Sequence, residues 1–481
     1  MHPWARHEKY NEGMNQTIIQ QLADFTASAT FDNLPPQVVH ECKRVLLDSI
    51  GCAVAAVDEL KGSAGITYGR ILGAGDPKAT ILGSTGKVSV AGAAFANGEL
   101  ISALDMDVVL PPGHVSPYVV PAALAMAESL GSSGRDLITA LAVAHEMSNR
   151  FGKAMDSMRQ MKEGRLSPPP VFGYSSTIFG ATAALGKLRG HTSGMLANAL
   201  AIAGGNSPAN PQIAWFQHSP SSTVKHLMAG ALAQQALISS YMGELGHRGD
   251  LQLIDDAEYG YRRFIGTTKW EPEHITRELG SVWNFPAESS YKPYPHCRVV
   301  HVMFDCIIKL MQQHGLRPDE IESMLVYVEE LAIRPVWLNR EIGHVHDAQF
   351  SMAHGLAMAA HGFPLGKEWQ DPKNVFSPSV MSLMDRVQIE LHPDHAKPGT
   401  RPAHVEIRAR GQNFVEEKLY AKGTPSPDPS TYMTDAEMME KFRHNCAGVL
   451  NAEQVDGLID ALMTLDQVSD FSTVMRLAAK P

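Results

Sequence analysis

No uninterrupted apolar run of about 18 residues occurs in this chain, which argues against a membrane span. A basic excess is missing too. Lys and Arg total 41 against 51 Asp and Glu, a formal charge of −10, so no positive field invites nucleic acid or an anionic membrane. Cysteine is sparse: Cys42, Cys52, Cys297, Cys306 and Cys446 form no CxxC pair, and reduced thiols in a cytoplasmic protein are the expectation. The opening MHPWARHEKYNEGMNQ carries neither the apolar core of a signal peptide nor transit-peptide character. Internal repeats and low-complexity tracts are absent. Gly73-Ala74-Gly75 lacks the third glycine and the preceding strand of a dinucleotide loop. Gly205-Asn206-Ser207-Pro208-Ala209 lacks the closing glycine of a nucleophile elbow. His344 and His346 have no spaced Cys or His partners, so no metal site is expected.

What is present describes a globular enzyme-sized chain. At 481 residues with 44% hydrophobic and 19% charged residues, two domains are the natural expectation. Residues 16 to about 265 read as successive helices. HECKRVLLDSIGCAVAAV carries an i, i+3, i+4 apolar stripe, and the Ala- and Gly-rich VAGAAFANGELISAL predicts close helix–helix approach. SPYVVPAALAMAESLG offers Ser116 as N-cap, Pro117 in the first turn and Gly131 past the end. Beyond residue 270 the period changes to two. MLVYVEE (324–330), RVQIEL (386–391), HVEIRAR (404–410) and NFVEEKLY (413–420) read as half-buried strands, interrupted by helical patterns at 299–313 and 349–361. The Pro-rich GTPSPDPST (423–431) connects to a final set of helices. The fold predicted is mainly α: a large helical domain built from both chain ends (1–268 and 426–481) with an inserted, smaller α+β lid domain (269–425).

One stretch demands a reason. In ALDMDVVLPPGHVSPYVV (103–120), Asp105 and Asp107 fall where a helix should end, the end whose dipole disfavours anions. A lone His114 follows just before a new helix, whose first N–H groups can receive an anion. Carboxylates and an imidazole so arranged suit acid–base chemistry near neutral pH; a surface loop with two solvated acids and a turn histidine is the alternative. A second concentration is SSYKPYPHCRVVH, where Lys292, His296, Arg298 and His301 crowd a loop held extended by Pro293 and Pro295. Fixed cations there suit a polycarboxylate, while a solvated basic loop remains open. In SPSSTVKHLMAG, Lys225 reads as early in a helix, where a cation is locally unfavourable unless it faces something negative.

Together LLDSIGCAVAA, ANGELISALDMD, Gly113-His114, STVKHLMAG, YKPYPHCR and DAQFSMAHGLA resemble the 2-methylcitrate dehydratase / cis-aconitate decarboxylase family (MmgE/PrpD), over nearly the whole chain. The resemblance implies the fold sketched above, a homodimer, and an active site between the domains with no organic cofactor or required metal. It implies that Asp105 is the first acidic position, His114 the proton-moving histidine, and Lys225 and Lys292 the lysines that hold substrate carboxylates. Four departures stand out. Val108 and Val109 follow Asp107 where further polar residues are usual, and Val115 replaces the proline after His114. Ser167 stands where relatives carry a histidine, and His354 where they carry tyrosine. Ser167 does not titrate near pH 7, and the valines predict a more apolar pocket, which argues against citrate-like tricarboxylates.

The function expected is a lyase, dehydratase or decarboxylase, acting on a small organic (poly)carboxylic acid. His114, Asp105, Lys225 and Lys292 would form the catalytic set, with Asp107, Ser167, His296, Arg298 and His354 around the substrate. The alternatives are an isomerase or epimerase using the same proton chemistry, and a non-catalytic carboxylate-binding protein. Ligand-induced stabilisation without turnover would mark the last of these.

Overall fold

The computed structural model describes residues 16–159, 161–162, 165–166, 168–209, 212–225, 227–394 and 400–480. Ser167 lies outside the described residues. Helices dominate: α1 (Ile18–Ser28), α2 (Pro36–Ala55), α3 (Leu60–Leu72), α4 (Val90–Ala103), α5 (Ser116–Leu130), α6 (Gly134–Ala154), α7 (Thr177–Leu188), α8 (Ser193–Gly205) and α9 (Ala229–Glu244) come first. Their ends follow local chemistry. Thr17 with Gln20, and Ser133 with Asp136, make reciprocal capping boxes, each satisfying two N–H groups that a helix start leaves unpaired. Gly131 closes α5 in the left-handed conformation at φ +61°, as expected of a C-terminal glycine. Val115, not Ser116, is the N-cap of α5, a shift of one residue within normal helix-end variation.

α5 is the centre of the helical layer. Residues 116–128 are buried, with α4, α6, α7 and α9 packed around them. A helix enclosed on every side buries apolar groups all round rather than on one stripe, and each fully buried Val or Leu there contributes about 1.5–3 kcal/mol. The Ala- and Gly-rich pattern of α4 works as read: a Cβ built on Gly92 would lie 2.3 Å from the carbonyl oxygen of Gly69 in α3. Only hydrogen on those α-carbons lets the two helices come that close.

The second layer system begins past residue 290. β1 (Ile321–Val328), β2 (Val387–Leu391), β3 (Ala403–Ala409) and β4 (Gln412–Lys418) form one sheet in the order β4-β3-β1-β2. β1 pairs with β2 in parallel, Val326 opposite Ile389, and with β3 antiparallel, Val326 opposite Val405. The helices α10 (His301–His314) and α11 (Met352–His361) lie on this sheet and on each other. Met324, Val326, Val405 and Ile407 are buried beneath them, while Glu322, Arg408 and Glu417 on the other face are exposed. That is the one-sided burial the alternating sequence predicts.

The chain then returns. α12 (Asp435–Cys446) and α13 (Ala452–Met463) pack against α2. Phe442 of α12 lies against the α-carbon of Gly51 in α2, and buried Arg44 of α2 pairs with Asp435.

Two features escaped the reading by periodicity. Short ladders join residues 79–80 to 87–88 and 109–110 to 113–114; two residues per strand are too few to show a period of two. And Lys225 is not early in a helix. It occupies a turn at φ +58°, four residues ahead of α9.

Candidate active site

The stretch from Asp105 to His114 is held from three sides. Leu104 caps α4, and Asp105 turns the chain at φ +51°, a left-handed conformation that costs a non-glycine residue about 1–3 kcal/mol. The hairpin follows, with Val109 opposite His114 and Leu110 opposite Gly113. Gly113 sits at φ +149°, where a Cβ would lie 2.4 Å from the hydroxyl of Tyr174, so no larger residue fits. Val109 also exchanges backbone hydrogen bonds of 2.9 and 2.8 Å with Ser290, joining the hairpin to the segment that carries Lys292. Beneath the loop, Lys441 of α12 donates to Met106 O at 2.9 Å and to Asp48 Oδ1 at 2.6 Å. Asp48 Oδ2 accepts from the Val108 N–H at 2.9 Å.

These restraints bring one imidazole between two buried acids. His114 Nδ1 lies 2.7 Å from Asp107 Oδ2, and its Nε2 lies 3.5 Å from Asp105 Oδ1. Asp105 in turn accepts from Lys292 Nζ at 2.9 Å and Lys225 Nζ at 3.2 Å. Burial alone would push the Asp105 carboxyl up; the two ammonium groups, then His114, outweigh it and hold it well below the ordinary carboxylate range. Asp107 is likewise buried, yet His114, by charge and hydrogen bond, holds it ionised below its ordinary value. For Lys225 burial dominates and lowers its affinity for a proton, with Asp105 opposing.

A cavity of about 520 Å³ opens onto this cluster, within the range of small-molecule sites. Its lining includes His114, Lys292 and Tyr174, and also Arg159, Arg298 and Arg401. Tyr174 lies beside the imidazole, ring centroids 6.1 Å apart. Arg159, Arg401 and Tyr174 carried no sequence signal. They sit in separate segments, Tyr174 in the short 3-10 helix Gly173–Ser176, and only the fold collects them.

The remaining candidates distribute unevenly. Arg298 lines the cavity and donates to Lys422 O at 2.8 Å and to the hydroxyl of Thr424. Lys225 does not line it; it lies behind Asp105, its Nζ also donating to Ser102 O at 2.7 Å. His296 is not a fixed cation. Burial pushes it down to about 3, its Nε2 sits 3.2 Å from Ser351 O, and it is not on the cavity wall. His301 is likewise held neutral, by burial and then by Arg298. His354 is buried with Nε2 2.9 Å from Val375 O, and does not line the cavity. Of the three valines in the hairpin region only Val109 does; Val108 and Val115 point into the core. Beside His114 the wall is nevertheless apolar, made of Val109, Leu110, Pro111 and Pro112. The first turn of α5 is also buried rather than open to the cavity, so its N–H groups are not a ligand site here.

A helical layer system, an appended α+β unit and a carboxylate-flanked histidine facing a cationic cavity define the class. Family models for the MmgE/PrpD N-terminal and C-terminal domains match residues 20–273 and 294–467, and the chain belongs to the MmgE/PrpD family. It is similar to a cis-aconitate decarboxylase of Homo sapiens, 25% identical over 493 residues covering 97% of this chain and 96% of that one. A cis-aconitate decarboxylase of Mus musculus is 23% identical over 97% of this chain and 94% of its own. One from Aspergillus terreus is 22% identical over 96% of each. No helix among the described residues is long and apolar enough to cross a membrane.

Proposed function

We propose that this chain is a cofactor-independent lyase that forms and protonates a carbanion next to a carboxylate of a small organic acid. The observation that carries the reading is His114: its ring reaches the cavity while Nδ1 is bonded to the buried, ionised Asp107. A carboxylate on Nδ1 fixes the tautomer and supports the ring when it is charged, so that a proton exchanged with a bound acid passes through Nε2, the nitrogen that also faces Asp105 at 3.5 Å. In a decarboxylation the bond to one carboxyl carbon breaks, carbon dioxide leaves, and the electron pair left on carbon takes the proton from Nε2. In a dehydration the neutral ring removes the proton beside the carboxylate, the carbon–carbon double bond forms, and the hydroxyl on the neighbouring carbon leaves as water with the proton returned by the ring.

Either route passes through negative charge delocalised into a carboxylate. Fixed cations in a cavity of low dielectric stabilise that charge more than water does, and Lys292 with the three arginines supplies them. The named activity of the relatives, decarboxylation of cis-aconitate, favours the decarboxylase form and sets the first substrate to try. Lys292 is the lysine suited to touch substrate; Lys225 serves by fixing Asp105.

Proton NMR of the purified protein in D2O with cis-aconitate, 2-methylcitrate and a panel of smaller unsaturated and hydroxy acids tests this. Loss of carbon dioxide or water from any of them supports the lyase. Deuterium incorporation with neither loss replaces it by an isomerase. Ligand-induced thermal stabilisation without turnover across the panel replaces it by a binding protein.

A further inference from the structure

The chain passes from the helical layers towards the sheet through residues 289–292 and comes back through 422–435, and the two crossings run side by side. The Tyr291 N–H donates to Gly423 O at 3.0 Å, and a Cβ on Gly423 would lie 2.0 Å from Tyr291 O, so nothing fits between them. One side chain of α2 reaches both crossings. Buried Arg44 stacks over the Tyr291 ring of the first at 4.8 Å and over the Tyr432 ring of the second at 5.1 Å. It donates through Nη2 to Met433 O at 2.7 Å and through Nη1 to Asp435 at the start of α12. Glu41, one turn earlier on α2, faces its Nε at 3.4 Å and accepts from the Tyr291 hydroxyl at 2.7 Å. Burial pushes the Glu41 carboxyl up; the Tyr291 hydroxyl and then Arg44 oppose it. A buried ion pair is weak evidence of stability. What distinguishes this one is the residue next to Tyr291.

That residue is Lys292, whose Nζ donates to the carbonyl and to Oδ2 of Asp105 at 2.8 and 2.9 Å. Successive side chains of an extended segment point to opposite sides, and Pro293 holds the residue before it extended. With Tyr291 turned to α2, Lys292 is sent to Asp105. On the other flank Ser290 is bridged to Val109 of the hairpin. We infer that Arg44 is a positioning residue of the proton-transfer site: by clamping Tyr291 against α2 it sets the reach of Lys292 to Asp105, without lining the cavity itself. The guanidinium is needed for its shape. Its plane stacks on two phenol rings while its fork bonds a carbonyl and a carboxylate, and an ammonium group cannot do both. The inference rests on the lyase reading for the effect on rate; the coupling between Arg44 and Lys292 is a property of the fold.

A double-variant cycle on the full chain in urea reads that coupling without turnover. Arg44→Lys and Lys292→Met are made singly and together; Tyr291→Phe, alone and with Lys292→Met, forms a second cycle that carries the test if Arg44→Lys does not fold. Each change at 44 or 291 is expected to cost less in the protein that already lacks Lys292, by at least about fivefold in the folding equilibrium constant, or about 1 kcal/mol. A coupling below that factor makes Arg44 a structural clamp alone and overturns the inference. On whichever acid NMR identifies, Arg44→Lys should lower kcat of the folded protein about tenfold or more, with KM within about threefold. A lowered melting temperature with unchanged kcat overturns the inference even where the cycle shows coupling. In a protein that turns over nothing the cycle alone decides, so a failed lyase reading and a failed positioning role are told apart.

Discussion

His114 and Asp107 are joined through Nδ1 and Oδ2 at 2.7 Å, the carboxylate wholly buried and the ring partly open to the cavity. On the proposed reading the pair is a base and its orienter, the hidden acid setting which nitrogen meets a ligand. Removing the two members should therefore have different signatures. His114→Ala is expected to abolish turnover while leaving the affinity for the saturated, unreactive acid tricarballylate within about threefold, since the ring would be lost from proton transfer and not from charge pairing. Asp107→Asn should keep shape but lose the tautomer, with kcat reduced about 10²–10⁴-fold and KM little changed. Steady-state kinetics on whichever acid NMR identifies reads both, and equal losses in kcat and affinity for His114→Ala would count against a proton-transfer role.

Asp105→Asn removes the shared counter-charge of two buried lysines. Leaving an uncompensated buried charge costs about 3–5 kcal/mol, so urea denaturation should show a loss of that size. Adding Lys225→Met to Asp105→Asn should return a good part of it, because Lys225, unlike Lys292, does not line the cavity and has no opening to turn towards. A double variant no more stable than the single would contradict the charge-balance account.

Acid should unfold the protein well above the pH at which its carboxylates protonate. Burial holds His145 at about 4 and both His296 and His346 at about 3, against about 6.5 in the unfolded chain. Below pH 6.5 the unfolded chain takes protons at these rings that the folded chain refuses. Stability therefore falls as pH drops, by up to about 1.4 kcal/mol per pH unit for each ring, until the folded values are reached. Asp105 and Asp107, held below their ordinary values, extend the loss at lower pH. Urea midpoints at pH 7.5, 6 and 5 should decline, and His346→Gln should flatten the decline by roughly one ring's share; a flat profile would mean that these rings are not buried in solution.

Lys441→Met should destabilise the protein by about 3–5 kcal/mol, since it strands the buried Asp48 carboxylate. It should also lower kcat in the protein that remains folded, because Lys441 holds the Met106 carbonyl between the two acids and, through Asp48, the Val108 N–H just after them. Asp48→Asn combined with Lys441→Met should regain stability but not rate.

Helices and strands were legible where a period repeats for several turns or residues: the strands between 321 and 418 and the helices from 435 onward stand within a few residues of the pattern. The suspicious acids at Asp105 and Asp107 were legible because they contradict the helix dipole. What failed was everything that depends on burial from a distance. His296 reads as a cation in its local sequence and is neutral because α10 and α11 enclose it. Lys225 reads as helical, and the turn that holds it is paired to an acid 120 residues away. Arg159 and Arg401 lie in stretches with no periodicity at all, and their meaning comes from lining one cavity.

The contact between Lys441 and the loop of Asp105 to His114 has a consequence for the order of synthesis. The acids and the histidine emerge from the ribosome early, but the ammonium group that secures the loop between them lies in the last tenth of the chain. A nascent chain can assemble most of its helices and still lack the restraint that Lys441 places on this loop. On the proposed reading, the arrangement of Asp105, Asp107 and His114 is complete only when α12 has packed against α2.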